Sequence, residues 1–168
     1  MVKCKPVRRL SIDVPQIAQY FERLLPISSF RYPEACMTAE TPKPQSPLAR
    51  HLGFELVEAT DERVVSRCIV RPEHNNPTGA VHGGTLIALA DNAATRMANI
   101  ANAKGPNADR FMVAIDLHAV MLRNQKGGEI LAEARIVRAG SRVTVVRTVV
   151  MGAEGKPLVE VTTTHVPG

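Results

Sequence analysis

Apolar residues are packed most densely between positions 84 and 103. There Leu86, Ile87, Leu89, Ala90, Ala93, Ala94, Met97, Ala98, Ile100 and Ala101 occupy nearly every helical face. A segment apolar almost all round reads as a buried helix rather than a surface one. Its polar exceptions are Asp91, Asn92, Thr95, Arg96 and Asn99. At about 100° per residue they collect into one sector roughly 140° wide. Gly105-Pro106 gives this helix a sharp stop. Before it, residues 54–59 and 63–71 are strand candidates joined around Thr60-Asp61-Glu62. In the second, Val64, Ser66, Cys68 and Val70 alternate with Arg63, Val65, Arg67, Ile69 and Arg71, which predicts one wet face. After the helix come strand candidates 111–121, 130–138, 142–151 and 157–166. In the first of these Phe111, Val113, Ile115, Leu117, Ala119 and Met121 share one face, and Met112, Ala114, Asp116, His118 and Val120 the other. One long buried helix among such strands is an α+β pattern.

A length of 168 residues suits one domain with an adequate core. Residues 1–45 read as an N-terminal extension to a domain spanning 46–168. Asp13 would cap a short helix through about Leu25, with Ile17, Tyr20, Phe21, Leu24 and Leu25 on one side. Pro26, Pro33, Pro42, Pro44 and Pro47 then break any regular pattern, so the extension is expected to be a short helix or partly disordered. Met37 precedes a polar, Pro-rich lead-in and is an alternative start. No run of about 18 apolar residues occurs, so no membrane-spanning helix is expected. Cys4, Cys36 and Cys68 are odd in number and scattered. That argues against a disulfide framework or a zinc site and suits a reducing cytoplasm, the expected location. The net charge of +5 suits an anionic ligand, although most such charge is solvated surface. With four Phe, two Tyr and no Trp there is little to stack bases, so nucleic acid is not an expected partner.

The candidate chemistry sits where the helix begins. Asn75-Asn76-Pro77 and Gly79 mark a loop, and His82-Gly83-Gly84 opens the helix. The glycines let a ligand approach the unpaired N–H groups of the first turn. The partial positive charge there suits a polarised carbonyl or an oxyanion. Asp91 lies at the edge of the polar sector, between Leu and Ala. It is either a structural acid satisfied by Thr95 or an Arg, or a functional carboxylate, since an unpaired buried charge is costly. About nine helical steps, roughly 13 Å, separate His82 from Asp91. A functional reading therefore predicts a homodimer in which a twofold axis sets one helix start beside the other chain's Asp91.

Asn76, His82, Gly83, Gly84 and Asp91, spaced Asn-x5-His-Gly-Gly-x6-Asp, resemble the signature of hotdog-fold acyl-CoA thioesterases of the PaaI-like group. The resemblance covers roughly residues 46–166. It implies a long central helix wrapped by an antiparallel β-sheet, dimers that pair into tetramers, and hydrolysis of an acyl-CoA thioester to the free acid and CoA. It further implies Asp91 as general base or nucleophile and Gly83 N–H as the group polarising the thioester carbonyl. Asn76 and His82 would position water, substrate or the loop, with Gly84 lining the site. Ala114 stands where the family often has Ser or Thr, which removes a hydroxyl from water positioning.

Residues 130–138 and 142–151 are expected to form a hairpin around Ala139-Gly140-Ser141, with Gly-Ser as a two-residue turn. Arg138 and Arg142 flank it, and their guanidiniums with Gly140, Ser141 and the turn N–H groups suit phosphates. An exposed hairpin with solvated Arg is the plain alternative. In the resembled family the corresponding turn contacts the nucleotide part of CoA. Arg123 and Lys126 are weaker candidates for the same contact.

Asp116 and His118 are placed to face the ligand tunnel or an interface, with a His-Asp catalytic couple as the sharper alternative. His74 reads as a surface histidine and His165 as structural. No G-x-S-x-G elbow, phosphate loop or metal-ligand spacing around His82 is present. No metal or separate cofactor is expected, coenzyme A being part of the substrate. The alternatives are a hotdog enoyl-CoA hydratase using Asp116 and His118, and a non-catalytic acyl-CoA-binding protein. Few aromatics predict no strong cage for an aryl group, and a small or medium acyl- or aryl-CoA fits the composition.

Overall fold

The computed structural model describes residues 46–168. The predicted helix near the N-terminus and the alternative start at Met37 lie outside the described residues. A short helix α1 (Pro47–His51) begins at Ser46, whose Oγ accepts the Ala49 N–H at 3.1 Å. It leads into β1 (Phe54–Ala59) and β2 (Val64–Ile69), then a single 3-10 turn, Pro72–His74. The long helix α2 (Gly83–Asn102) follows. After it come β3 (Met112–Met121), β4 (Glu129–Ala139), β5 (Thr144–Met151) and β6 (Pro157–Pro167).

The six strands form one antiparallel sheet in the order β1-β2-β4-β5-β6-β3. Helix α2 packs on one face of it, against β4, β5, β2, β6 and β3. Leu86, Leu89, Ala90, Ala93, Ala94, Met97 and Ala98 are buried against Val64, Cys68, Ile130, Ala132, Ala134, Val146, Val150, Val159 and Val161. Alanine at four of those helical positions lets the helix axis approach the sheet closely, while each buried Leu or Met contributes about 1.5–3 kcal/mol. This is the α+β hotdog architecture: a long helix wrapped by an antiparallel sheet.

Three details differ from the pattern read in the sequence. Strand β2 has its wet face at Arg67 and Ile69 but not at Val65. Val65 is fully buried there with Leu131, Val149 and Met151, on the side turned away from α2. Glu133 is buried in the same layer, with Arg135 Nε at 2.6 Å and an Arg63 guanidinium nitrogen at 3.7 Å.

The β4–β5 turn is displaced from Gly140-Ser141: β5 begins only at Thr144, and Gly140 N–H bonds to Val143 O at 2.9 Å across Ser141-Arg142.

Strand β3 carries a bulge between Ala114 and Asp116. An extra residue inverts every side chain beyond it. Ala114 pairs with His165, Leu117 with Thr163 and Ala119 with Val161, all on the helix side. Asp116 pairs with Thr164 and His118 with Thr162, on the outer side. The expected common face of Ala114, Asp116 and His118 is therefore split.

Strand β3 is also an edge strand, with Val113, Ile115, Leu117, Val120 and Met121 exposed, and Phe111 just before it is exposed too.

Candidate active site

The loop before α2 is built by its own polar side chains. Asn76 Oδ1 accepts from Thr78 N at 3.0 Å, Thr78 Oγ1 at 2.7 Å and Ala80 N at 3.2 Å, which closes a turn over Pro77 and Gly79. Gly79 takes a positive φ of 79° there, which only glycine adopts without strain. Asn76 thus organises the loop, the last of the three roles considered for it.

His74 is fully buried, which corrects its reading as a surface residue. The 3-10 turn draws it inward, and its Nδ1 accepts Arg71 N–H at 3.0 Å. Its carbonyl takes His82 N–H at 2.8 Å and the Thr85 hydroxyl at 3.1 Å, so the helix start hangs from it. Burial and the nearby Arg71 push its pKa down, which keeps the ring neutral.

His82 caps α2 in extended conformation, φ −65° and ψ 134°, and its Nδ1 accepts Gly84 N–H at 2.9 Å. Thr85 and Leu86 N–H both turn back to His82 O, at 2.9 and 3.3 Å. Of the four first-turn donors that a helix leaves open, only Gly83 N–H has no acceptor among the described residues. A Cβ at Gly83 would lie 3.2 Å from Met121 Cε, and one at Gly84 would lie 2.9 Å from His82 Nδ1. Both glycines keep this end of the helix open, and Gly84 also leaves room for the cap.

The polar sector of α2 lines a half-open cavity of about 420 Å³. Asp91, Asn92, Thr95, Arg96 and Asn99 all face it, with Ala88, Leu48, Phe54 and Phe111 supplying apolar walls. Asn99 fixes one side, donating to Thr95 O at 2.7 Å and accepting Met112 N–H at 3.0 Å. Asp91 is half-buried, and among the described residues no Lys or Arg pairs with it. The alternative of an Arg partner is therefore not found among the described residues. Burial raises its pKa, and His165 partly offsets that rise.

His165 and Thr95 were not among the sequence candidates. His165 lies fully buried on β6 with Nε2 3.4 Å from Thr95 Oγ1. Thr95 follows Asp91 by one helical turn, a spacing that marked it as a neighbour. Nothing local to His165 marks it, because its pairing with α2 spans seventy positions in the sequence.

The hairpin residues Arg138, Gly140, Ser141, Arg142, Val143 and Val145 line a separate surface concavity. Asn107 Nδ2 donates to Ser141 O at 2.7 Å and ties this turn to the segment after α2. Ala114 stands opposite His165, whereas the exposed His118 lies across the sheet, away from the cavity. Gly83 N–H and Asp91 stand eight helical steps apart, about 12 Å, so a single chain does not bring them together. Among the described residues no group of three His, Cys, Asp or Glu side chains is placed to hold a metal ion, and no helix is long and apolar enough to cross a membrane.

Comparison with known proteins agrees with this architecture. The thioesterase superfamily profile matches residues 78–158. "Putative esterase ComA2" of Bacillus subtilis strain 168 is 35% identical over 100 residues, 59% of this chain and 75% of that protein. The 1,4-dihydroxy-2-naphthoyl-CoA hydrolase of Listeria monocytogenes serotype 1/2a (strain 10403S) is 26% identical over 98 residues, 58% of this chain and 76% of that protein. Among solved structures, the E. coli PaaI protein of the phenylacetic acid degradation operon shares the fold with a TM-score of 0.66 at 21% identity, covering 73% of this chain and 85% of that one. With its helix-start motif, its carboxylate-bearing central helix and these relatives, the chain belongs to the thioesterase superfamily and is a hotdog-fold thioester hydrolase.

Proposed function

We propose that the protein is an acyl-CoA thioesterase working as a homodimer, or a dimer of dimers, with two composite sites. In each site Gly83 N–H of one protomer polarises the thioester carbonyl, and Asp91 of the other acts on its carbon. The observation that carries this reading is the pairing of a first-turn donor and a half-buried carboxylate about 12 Å further along the same helix, neither with a partner among the described residues. Antiparallel apposition of two α2 helices brings donor and acid together. The apolar edge of β3 supports such a dimer, since an unpaired edge with exposed Phe111, Val113 and Ile115 is a surface that proteins normally cover.

As general base, Asp91 takes a proton from water while the hydroxide adds to the carbonyl carbon. The oxyanion forms against Gly83 N–H, and the C–S bond then breaks to release CoA thiolate and the free acid. As nucleophile, Asp91 would form a mixed anhydride that water opens. Burial that raises the Asp91 pKa without sealing the group strengthens it as a base at neutral pH.

The nucleotide of CoA is assigned to Arg138 and Arg142 beside the Gly140-Ser141 turn, where guanidinium groups meet phosphate. The acyl group is assigned to the cavity beside Asp91. Phe54 and Phe111, two of the chain's four Phe, line it, which favours a small aryl or a medium acyl chain over a long one. The hydratase alternative loses support because Asp116 and His118 lie across the sheet from this cavity.

The test is thiol release over a panel of short, medium and aryl acyl-CoAs with wild type and Asp91→Asn. Turnover confined to wild type supports the reading. Absence of turnover over the whole panel, or wild-type rates in the variant, overturns it.

A further inference from the structure

Among the described residues, His165 is a buried titratable side chain that touches the cavity through Thr95 and that the proposed mechanism leaves idle. It is fully buried at the end of β6, on the helix-facing side of the sheet. Nε2 lies 3.4 Å from Thr95 Oγ1, and Nδ1 is buried with no hydrogen-bond partner among the described residues. Its direct neighbours on the adjacent strands are Ala114 and Thr144, neither of which carries charge. From α2, the only charge acting on the ring is that of Asp91.

An unsatisfied buried lone pair costs less than an unsatisfied buried N–H. The ring therefore adopts the tautomer with its proton on Nε2, donating to Thr95 Oγ1 and leaving Nδ1 as a bare acceptor. The Thr95 hydroxyl proton is then directed away from the imidazole, into the cavity that Thr95 shares with Asp91.

We propose that His165 is a positioning residue for the Asp91 carboxylate, acting through the Thr95 hydroxyl. It rests on the reading of Asp91 as the reacting acid. A neutral, buried imidazole suits this task because it orients a hydroxyl without adding a charge that would neutralise the base. Burial holds its pKa down, and Asp91 pulls in the opposite direction, so the two groups sense one another.

The first arm of the test needs no activity. In a 15N-imidazole NMR titration of the full-length protein, His165 is expected as the Nε2–H tautomer. Asp91→Asn should move its titration to lower pH, because the charge that raised its pKa is gone. An Nδ1–H tautomer, or an unshifted titration in D91N, overturns the proposal.

The second arm is kinetic. His165→Leu should lower kcat about tenfold, the worth of one hydrogen bond of ordinary net strength, with KM little changed. The acid limb of its kcat/KM profile should move to higher pH, since the Asp91 carboxylate then loses the oriented Thr95 hydroxyl that favours its charged form. His165→Gln should recover most of kcat through its amide, and Thr95→Val with His165→Leu should be no slower than the slower single variant. Additive losses, an unmoved acid limb or no rescue by Gln would each overturn it. If wild type turns over no acyl-CoA, the functional reading fails, and the NMR arm still decides the His165–Asp91 coupling.

Discussion

Replacing Gly83 by proline deletes one hydrogen-bond donor while disturbing almost nothing else. Gly83 is the first residue of α2, the position at which a helix tolerates proline best. The preceding His82 already has φ −65° and ψ 134°, the extended geometry that a following proline favours. No acceptor among the described residues uses Gly83 N–H, so no structural bond is lost. The new ring would press on Met121 Cε, which lies 3.2 Å from an added Cβ and is the free end of a flexible side chain. Stability should therefore change by no more than about 1 kcal/mol, the scale of a modest contact shift at a surface position. Catalysis should change far more, because one oxyanion donor is worth roughly 10²–10³ in kcat. Gly83→Ala is the control: it adds the same Cβ and keeps the N–H, so the ratio of the two variants isolates the donor. The assay is thiol release at saturating acyl-CoA alongside thermal melts of both variants. Equal kcat for the two would refute the assignment of Gly83 N–H as the carbonyl's partner.

Further outcomes follow from the same geometry. Asp91→Asn should lower kcat by roughly 10²–10⁴, the range for a general acid–base group. The same variant should melt higher than wild type at neutral pH. The folded-state pKa of Asp91 is raised above its ordinary 3.8, so the folded chain holds the proton more tightly and stability falls as pH rises through that window. The advantage of Asn should accordingly vanish as pH is lowered through the ordinary carboxylate range, and a pH-independent difference would contradict burial of the Asp91 charge as its origin. Arg138→Ala and Arg142→Ala should raise KM for acyl-CoA roughly 10- to 100-fold, as expected for lost charged hydrogen bonds. They should leave kinetics on a thioester lacking the nucleotide unchanged, and equal losses on both substrates would remove the hairpin from the CoA site.

The fold was legible where periodicity is long and local. The buried helix, its polar sector and the six strands all stand close to where hydrophobic spacing put them, and the five polar residues of α2 do share one cavity. What escaped depends on single inserted residues or on contacts distant in sequence. One bulge in β3 turned Asp116 and His118 away from Ala114, and no alternation pattern reports an extra residue. His74 looked like a loop histidine because its burial comes from a three-residue turn folding under the helix start. His165 meets Thr95 only through sheet topology. Val65 looked wet because strand alternation assumes that only one face of the sheet is covered.

The composite site is tested most directly by complementation between two inactive chains. Gly83→Pro chains keep Asp91, and Asp91→Asn chains keep Gly83 N–H. Random reassortment makes half the dimers mixed, and each mixed dimer has one intact site of its two. Co-refolded protein should therefore regain about a quarter of the wild-type rate, while each variant alone stays near background. Recovery to that level is the predicted result; a mixture no faster than either parent would mean that donor and carboxylate act within one chain, which contradicts a site shared across the twofold axis.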